Sequence, residues 1–387
     1  MSRTTTLTAD RRWPLEHPPS RRLRVGIVGC GDVAHRRYLP ALADLAESVE
    51  VVGCCDPSLE EAARAAASVE SWSSTALAYS EIDRLMADAA PDAIFNLTPA
   101  PAHGALNQAA LEAGVHVYSE KPIASSLADA DRLITTANEA GLLLLCAPAS
   151  AATGRLRWLK EIVDSQRFGP LTLAVAHHAD PGPAAWREYT GDPSVFYREG
   201  VGPVFDHGIY RLHELTMLMG PVGRVQAMGS IGSPQRIVRG GPFAGRTIEV
   251  TTPDHVLINL EFGSGAIGQL LASFGTAATQ APWLELHFTK GTISFPGVAW
   301  ERDASASIYI DDDSPLGLEG WVHGIQPPPP PDPLDVVETG VVHFVSVLNG
   351  AEPPVLTAEH ARHVLDVILQ AYASISDGQS HETQTTF

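Results

Sequence analysis

The stretch VGIVGCGDVA leaves little choice of local structure. An apolar, β-rich run, LRVGIVG (23–29), feeds a turn with glycine at positions 29 and 31 and then a helical pattern. Gly29-Cys30-Gly31-Asp32-Val33-Ala34 has the form of a dinucleotide-binding strand–turn–helix. Gly29 permits the sharp turn, Gly31 lets the backbone approach a pyrophosphate, and Ala34 replaces the third glycine. The helix N-terminus then faces the phosphate charge. Gly29, Gly31, Asp32, Val33 and Ala34 are therefore the expected cofactor contacts. Asp56 ends the second strand, VEVVGCCD (49–56), where a carboxylate accepts the ribose hydroxyls. No Lys or Arg follows it in DPSLEEA to hold a 2′-phosphate, so NAD(H) is favoured over NADP(H).

The first 150 residues continue the alternation. DAIFNLTP (92–99), VHVYSE (115–120) and LLLLCAP (142–148) read as buried strands. RRYLPALADLAE (36–47), SLEEAARAAA (58–67), HGALNQAALEAG (103–114) and SLADADRLITTANEAG (126–141) read as the helices between strands. Such crossovers make a parallel, doubly wound sheet. After about residue 148 the texture changes. LTLAVAHHA (171–179), RVQAMGSI (224–231), TIEVTT (247–252), HVLINLEFGSGAIGQLLASF (255–274), LELHFTKGTISF (284–295) and SIYIDD (307–312) suit a large, mostly antiparallel sheet. QPPPPPDP (326–333) reads as a polyproline loop and EHARHVLDVILQAYASI (359–375) as an amphipathic helix. The expected class is α/β, a Rossmann-type parallel sheet followed by an α+β domain. Its parts are an N-terminal extension (1–21), a dinucleotide-binding domain (22–147) and an α+β domain (148–387).

Composition narrows the function. Apolar residues make up 44% and charged ones 18%, as in an ordinary globular protein. A net charge of −19 argues against nucleic acid or an anionic membrane as partner, because phosphates are held mainly by Lys and Arg. No apolar stretch is long enough to span a bilayer. Four scattered cysteines form neither a CxxC pair nor a disulfide framework, which points to the reducing cytoplasm.

Two further motifs carry chemistry. YSEKPIASS (118–126) places Glu120-Lys121-Pro122 at the C-terminal end of a parallel strand, where open α/β sheets bind ligands. The chain has three lysines against 23 arginines, so a lysine here is an unusual choice. An ammonium can neutralise a developing alkoxide and adapt its pKa, which a guanidinium cannot do, although a structural salt bridge explains it equally well. GPVFDHGIYRLHEL (202–215) fits a helix on which Asp206, Tyr210 and His213 share one face, with Ile209, Leu212 and Leu215 toward the other.

Together with NLTPAPAH (96–103), LEFGSGAIGQLLASF (260–274) and TAEHARHVLDVILQAYASI (357–375), these motifs resemble the Gfo/Idh/MocA family from about residue 23 to the C-terminus. Its members include glucose–fructose oxidoreductase and inositol dehydrogenase. The resemblance implies an NAD(P)-dependent dehydrogenase or reductase acting on CH–OH groups, its substrate a sugar, glycoside, cyclitol or nucleotide-sugar-like polyol. It places Thr98, Pro99 and His103 along the nicotinamide and ribose, with Glu120 orienting the cofactor end of the turn. Lys121 would touch both nicotinamide and the reacting hydroxyl, and Asp206 would bind substrate hydroxyls. It also implies a homodimer or homotetramer assembled through the second domain's sheet. A lyase or glycosidase with tightly held NAD, and a catalytically silent sugar sensor, are the alternative classes.

Most family members carry a histidine where this chain has Tyr210, so the resemblance makes this a tyrosine-type variant. A phenol with an ordinary pKa of ~10 is a poor base at neutral pH, but a lysine cation and a pyridinium beside it lower that value. Tyr210 is thus the expected proton donor or acceptor, His207 and His213 secondary contacts, and Trp186 and Arg187 candidate sugar contacts. HELTM (213–217) fails as a zinc motif because Met217 stands where the second histidine is needed. Adjacent strand residues His177 and His178 point to opposite faces. His360 and His363 are expected to face solvent or another helix. No spacing in the chain calls for a metal.

Overall fold

The protein is described from a computed structural model covering residues 21–73, 75–296, 305–311, 319–327 and 335–387. The expected N-terminal extension, apart from Arg21, the polyproline run from 328 onward, and Asp312 of the SIYIDD strand lie outside these residues. The chain forms two compact units. One holds the chain through Ala152 together with Val336–Leu365 and Phe387; the other holds Thr153–Asp335 and Asp366–Thr386. The division is therefore not a single cut near residue 147, and residues 336–365 group with the first unit.

The first unit is built on a six-stranded sheet. Its strands are β1 (Leu23–Val28), β2 (Val49–Cys55), β3 (Leu77–Tyr79), β4 (Ala93–Asn96), β5 (His116–Ser119) and β6 (Leu144–Cys146). Their order is β3-β2-β1-β4-β5-β6, and every pairing is parallel. Strand order reverses between β1 and β4, the position at which such sheets open a ligand crevice. The crossover helices start on ordinary caps. The Ser58 and Ser126 hydroxyls accept from the Glu61 and Asp129 amides, and Gly141 ends the second of these helices at φ +66°. Phe344, from the helix Val336–Leu348, explains why that segment belongs here. Its ring packs 5.4 Å from Phe95 and 5.6 Å from Tyr118. Among the described residues, no helix is long and apolar enough to cross a membrane.

The second unit carries β7 (Leu171–Ala179), β8 (Val222–Ser230), β9 (Gln235–Ile237), β10 (Thr247–Glu249), β11 (His255–Phe262), β12 (Ile267–Ser273), β13 (Leu284–Phe288), β14 (Gly291–Phe295), β15 (Ala306–Ile310), β16 (Gly320–Ile325) and β17 (His381–Glu382). Nine of these form one sheet, β16-β15-β14-β13-β7-β12-β11-β8-β17, while β9 and β10 pair separately. All neighbours in the large sheet are antiparallel except β7 and β12. Period-2 burial turns Ala174, Ala176 and His178 of β7 inward. The segment Val204–Met219 packs on β7 and β12. The Ser374 hydroxyl of the helix Ala358–Asp377 accepts from the Ala227 amide of β8 at 2.8 Å.

Candidate active site

In the first unit the site grows from the switch point. Gly29 (φ +88°) lies so close to the turn after β4 that a Cβ would sit 2.8 Å from the Leu97 carbonyl carbon and the Thr98 nitrogen. Gly31 is exposed, and a Cβ there would meet nothing within 4 Å. The first glycine is thus required by protein packing, and the second leaves an open cradle. Asp56 ties this turn to β2. One oxygen accepts from the Cys30 amide at 3.0 Å and the other from the Ser58 amide at 2.9 Å. Asp32 is held by Arg36, with Nε 2.8 Å from its carboxylate. Val33 is half-buried and Ala34 is buried in a π-helical turn, Ala34–Tyr38. An open glycine cradle beside a carboxylate at the end of β2 fits a dinucleotide.

A buried polar chain joins the turns after β4 and β5. Thr98 donates to Asn96 at 2.7 Å, Asn96 to Asn107 at 2.8 Å, and Asn107 to Ser119 at 2.9 Å. Ser119 then donates to the Glu120 carbonyl at 2.9 Å. Asn96, Asn107 and Ser119 are fully buried, so each lost partner would leave an unsatisfied group. The buried His103 ring bridges the same turns, 2.7 Å from the Thr98 carbonyl and 2.6 Å from that of Pro122. A neutral imidazole has one N–H, so both contacts are hydrogen bonds only when the ring carries both protons. The Glu120 carboxylate accepts from the Tyr38 hydroxyl at 2.7 Å and the Lys121 amide at 3.0 Å. Pro99 is exposed at the start of the helix Ala100–Glu112, and Lys121 is half-exposed on the turn so built.

The second unit assembles a different group. Asp206, His207 and Gly208 lie in a π-helical turn, Val204–Gly208, that runs into the α-helix Ile209–Met219. The uniform helical spacing expected from residue 206 onward is therefore broken by a wider turn, a feature frequent at functional sites. Asp206 and His213 are buried and Tyr210 is half-buried. The Asp206 carboxylate lies 3.3 Å from His207 Nε2. The other face of the assembly is Asp180, 3.4 Å from His207 Nδ1 and 3.8 Å from His178 Nε2. The His178 and His207 ring centroids are 4.0 Å apart, and Trp186 stacks on His207 at 5.4 Å. Arg187, by contrast, is exposed, with its backbone against Gly240. Tyr197 is fully buried; its hydroxyl accepts from the Ala184 amide at 3.0 Å, and burial pushes its pKa up to about 12.

The same architecture occurs in known proteins. Residues 23–147 match the profile "Oxidoreductase family, NAD-binding Rossmann fold", and residues 156–294 match "GFO/IDH/MocA C-terminal domain". The chain belongs to the Gfo/Idh/MocA family. It is 32% identical to a dTDP-3,4-didehydro-2,6-dideoxy-alpha-D-glucose 3-reductase of Streptomyces violaceoruber, over 53% of this chain and 57% of that protein. It is 24% identical to a 1,5-anhydro-D-fructose reductase of Ensifer adhaerens, over 94% of this chain and 99% of that protein. A levoglucosan dehydrogenase solved with NADH shares the fold at TM-score 0.78, with 18% identity over 94% of this chain and all of that one (100%).

Within this Gfo/Idh/MocA chain, several functional candidates gave no signal in sequence. Asn96, Asn107 and Ser119 look like any polar residues on a strand or helix until their burial is known. Tyr38 and Asp180 lack a motif, and His178 and His207 lie too far apart in sequence to suggest contact. His360 and His363, expected at a surface or helix contact, are buried against Phe387, at centroid distances of 4.2 and 5.4 Å.

Proposed function

We propose that the protein is an NAD(H)-dependent oxidoreductase acting on a secondary hydroxyl or ketone of a sugar, glycoside, cyclitol or nucleotide-sugar-like polyol. The observation that carries this reading is the buried chain from Thr98 to Glu120, which fixes the Lys121 turn relative to an open glycine cradle. An ammonium carried on a turn so held, at the C-terminal end of β5, serves charge that develops on a substrate oxygen. NAD(H), when bound, supplies or accepts the hydride. Lys121 polarises the reacting oxygen, Tyr210 gives or takes the hydroxyl proton, and Asp206 orients a neighbouring hydroxyl. His213 supports Tyr210 from the next turn of the helix. Trp186, stacked on His207, shapes the sugar side of that group.

The preference for NAD(H) over NADP(H) rests on Asp56, whose negative charge disfavours a 2′-phosphate beside it. Relatives that reduce dTDP-linked keto-sugars and anhydro-sugars support the substrate class. The test is a panel of sugars, glycosides, cyclitols and nucleotide sugars followed by NADH absorbance in both directions. On the best substrate, Tyr210→Phe should lower kcat by ~10²–10⁴-fold, the range for a positioned acid/base. Unchanged turnover would remove Tyr210 from the mechanism.

A further inference from the structure

We infer that His178, Asp180 and His207 form a divalent metal site, and that its ligand is zinc. One donor atom from each lies within 4.8 Å of the others. The carboxylate oxygen of Asp180 is 3.4 Å from His207 Nδ1 and 3.8 Å from His178 Nε2. Tetrahedral zinc with bonds of 2.0–2.2 Å holds neighbouring donors ~3.4 Å apart, close to the two distances from Asp180. Both histidines are buried, at 7% exposure each, which limits competition from water.

The surrounding contacts orient these donors. The second oxygen of Asp180 accepts from the Gly182 amide at 2.6 Å, turning the first toward the imidazoles. His207 Nε2 faces the Asp206 carboxylate at 3.3 Å. A proton on Nε2, favoured by the negative carboxylate beside it, leaves Nδ1 as the donor toward the metal. The ring centroids of His178 and His207 are 4.0 Å apart, closer than the ~5 Å of two imidazoles on one tetrahedral ion, so zinc would turn the two rings apart as it binds. Two imidazoles and one carboxylate suit zinc, and the fourth position stays open to water or a hydroxyl oxygen. Neighbouring Asp206 would then help align a sugar hydroxyl with that position, a role that rests on the function proposed above. The binding of zinc itself does not.

The test uses the full-length protein, stripped with chelator and dialysed against zinc chloride. Elemental analysis should find about one zinc per chain, and cobalt(II) in its place should give the intense visible absorption of a four-coordinate site. His178→Gln and Asp180→Asn, checked for folding by circular dichroism, should each weaken zinc binding at least tenfold. Asp206→Asn should weaken it by ~10–100-fold, because the carboxylate charge beside His207 Nε2 is lost. Substoichiometric zinc, six-coordinate cobalt, or undiminished binding in the His178 and Asp180 variants would overturn the assignment. If either variant fails to fold, the wild-type cobalt spectrum decides alone. Loss of NADH turnover does not enter these readouts, so failure of this site and failure of the hydride reading are distinguishable.

Discussion

At position 29 a methyl group would press on backbone, 2.8 Å from two atoms of the chain after β4, and the left-handed φ adds its own cost. Neither neighbour can swing away. Gly29→Ala should therefore destabilise the fold by ~1–3 kcal/mol, read by urea titration, and weaken NADH binding with it. Gly31→Ala meets open space, so its stability should stay within ~0.5 kcal/mol of wild type. NADH affinity should nonetheless fall, by fluorescence titration, because the methyl enters the cradle. Equal destabilisation by both changes would mean that Gly31 also serves packing alone. The cysteines behave as packed apolar residues: all four are free and buried. Burial pushes the Cys55 pKa up to about 11 and that of Cys146 well above the ordinary thiol value. Both remain thiols at pH 8, so iodoacetamide should label them only after denaturant is added.

Whole elements are held by polar groups that no pattern in the chain announced. The glycine turn and the Glu120-Lys121-Pro122 turn were legible because each needs particular residue types at fixed offsets. The asparagines beneath them were not, since Asn96 and Asn107 differ from surface asparagines only in burial. Asn107→Leu removes the acceptor for Asn96 and the donor to Ser119, at a cost of ~1–3 kcal/mol for each stranded partner. The released turns should also raise the KM for NADH, which a purely structural lesion elsewhere would not do. The helix Ile209–Met219 hides a second case. Arg211 and Glu214 pair at 2.8 Å with both side chains buried, and the guanidinium lies 4.5 Å over the Trp283 ring. Burial pushes the Arg211 pKa down, with Glu214 opposing that shift. Glu214→Gln leaves a buried cation without its counter-charge and should cost ~3–5 kcal/mol in urea, whereas replacing the pair together with Met and Leu should recover most of that loss. If the double replacement is no better than the single, the pair's geometry and not its charge balance holds the helix.

At the scale of the whole molecule, fold class was readable because strand and helix periods differ and the order of elements admits few topologies. What the pattern could not show was that residues 336–365 return to the first unit, since the apolar face around Phe344 names no partner in sequence. The second unit's sheet poses the complementary question, because one of its faces keeps large apolar side chains exposed. Met228 is 75% exposed, Ile267 54% and Leu257 45%, and Leu257 pairs directly with Met228 across β11 and β8. Gln226, Asn259 and Gln269 lie between that pair and Ile267, so exposed apolar groups and polar ones share the face, the mixture of an interaction surface rather than of a core. We propose that a second copy of the chain covers it, making a homodimer or homotetramer in which each changed residue acts at least twice by symmetry. Met228→Asp places a charge at the most exposed apolar position of that face, so light scattering should show the assembly falling to single-chain mass while the circular dichroism spectrum stays unchanged. A wild-type protein that runs as a single chain at micromolar concentration, with Met228→Asp indistinguishable from it, would leave the exposed face to some other partner.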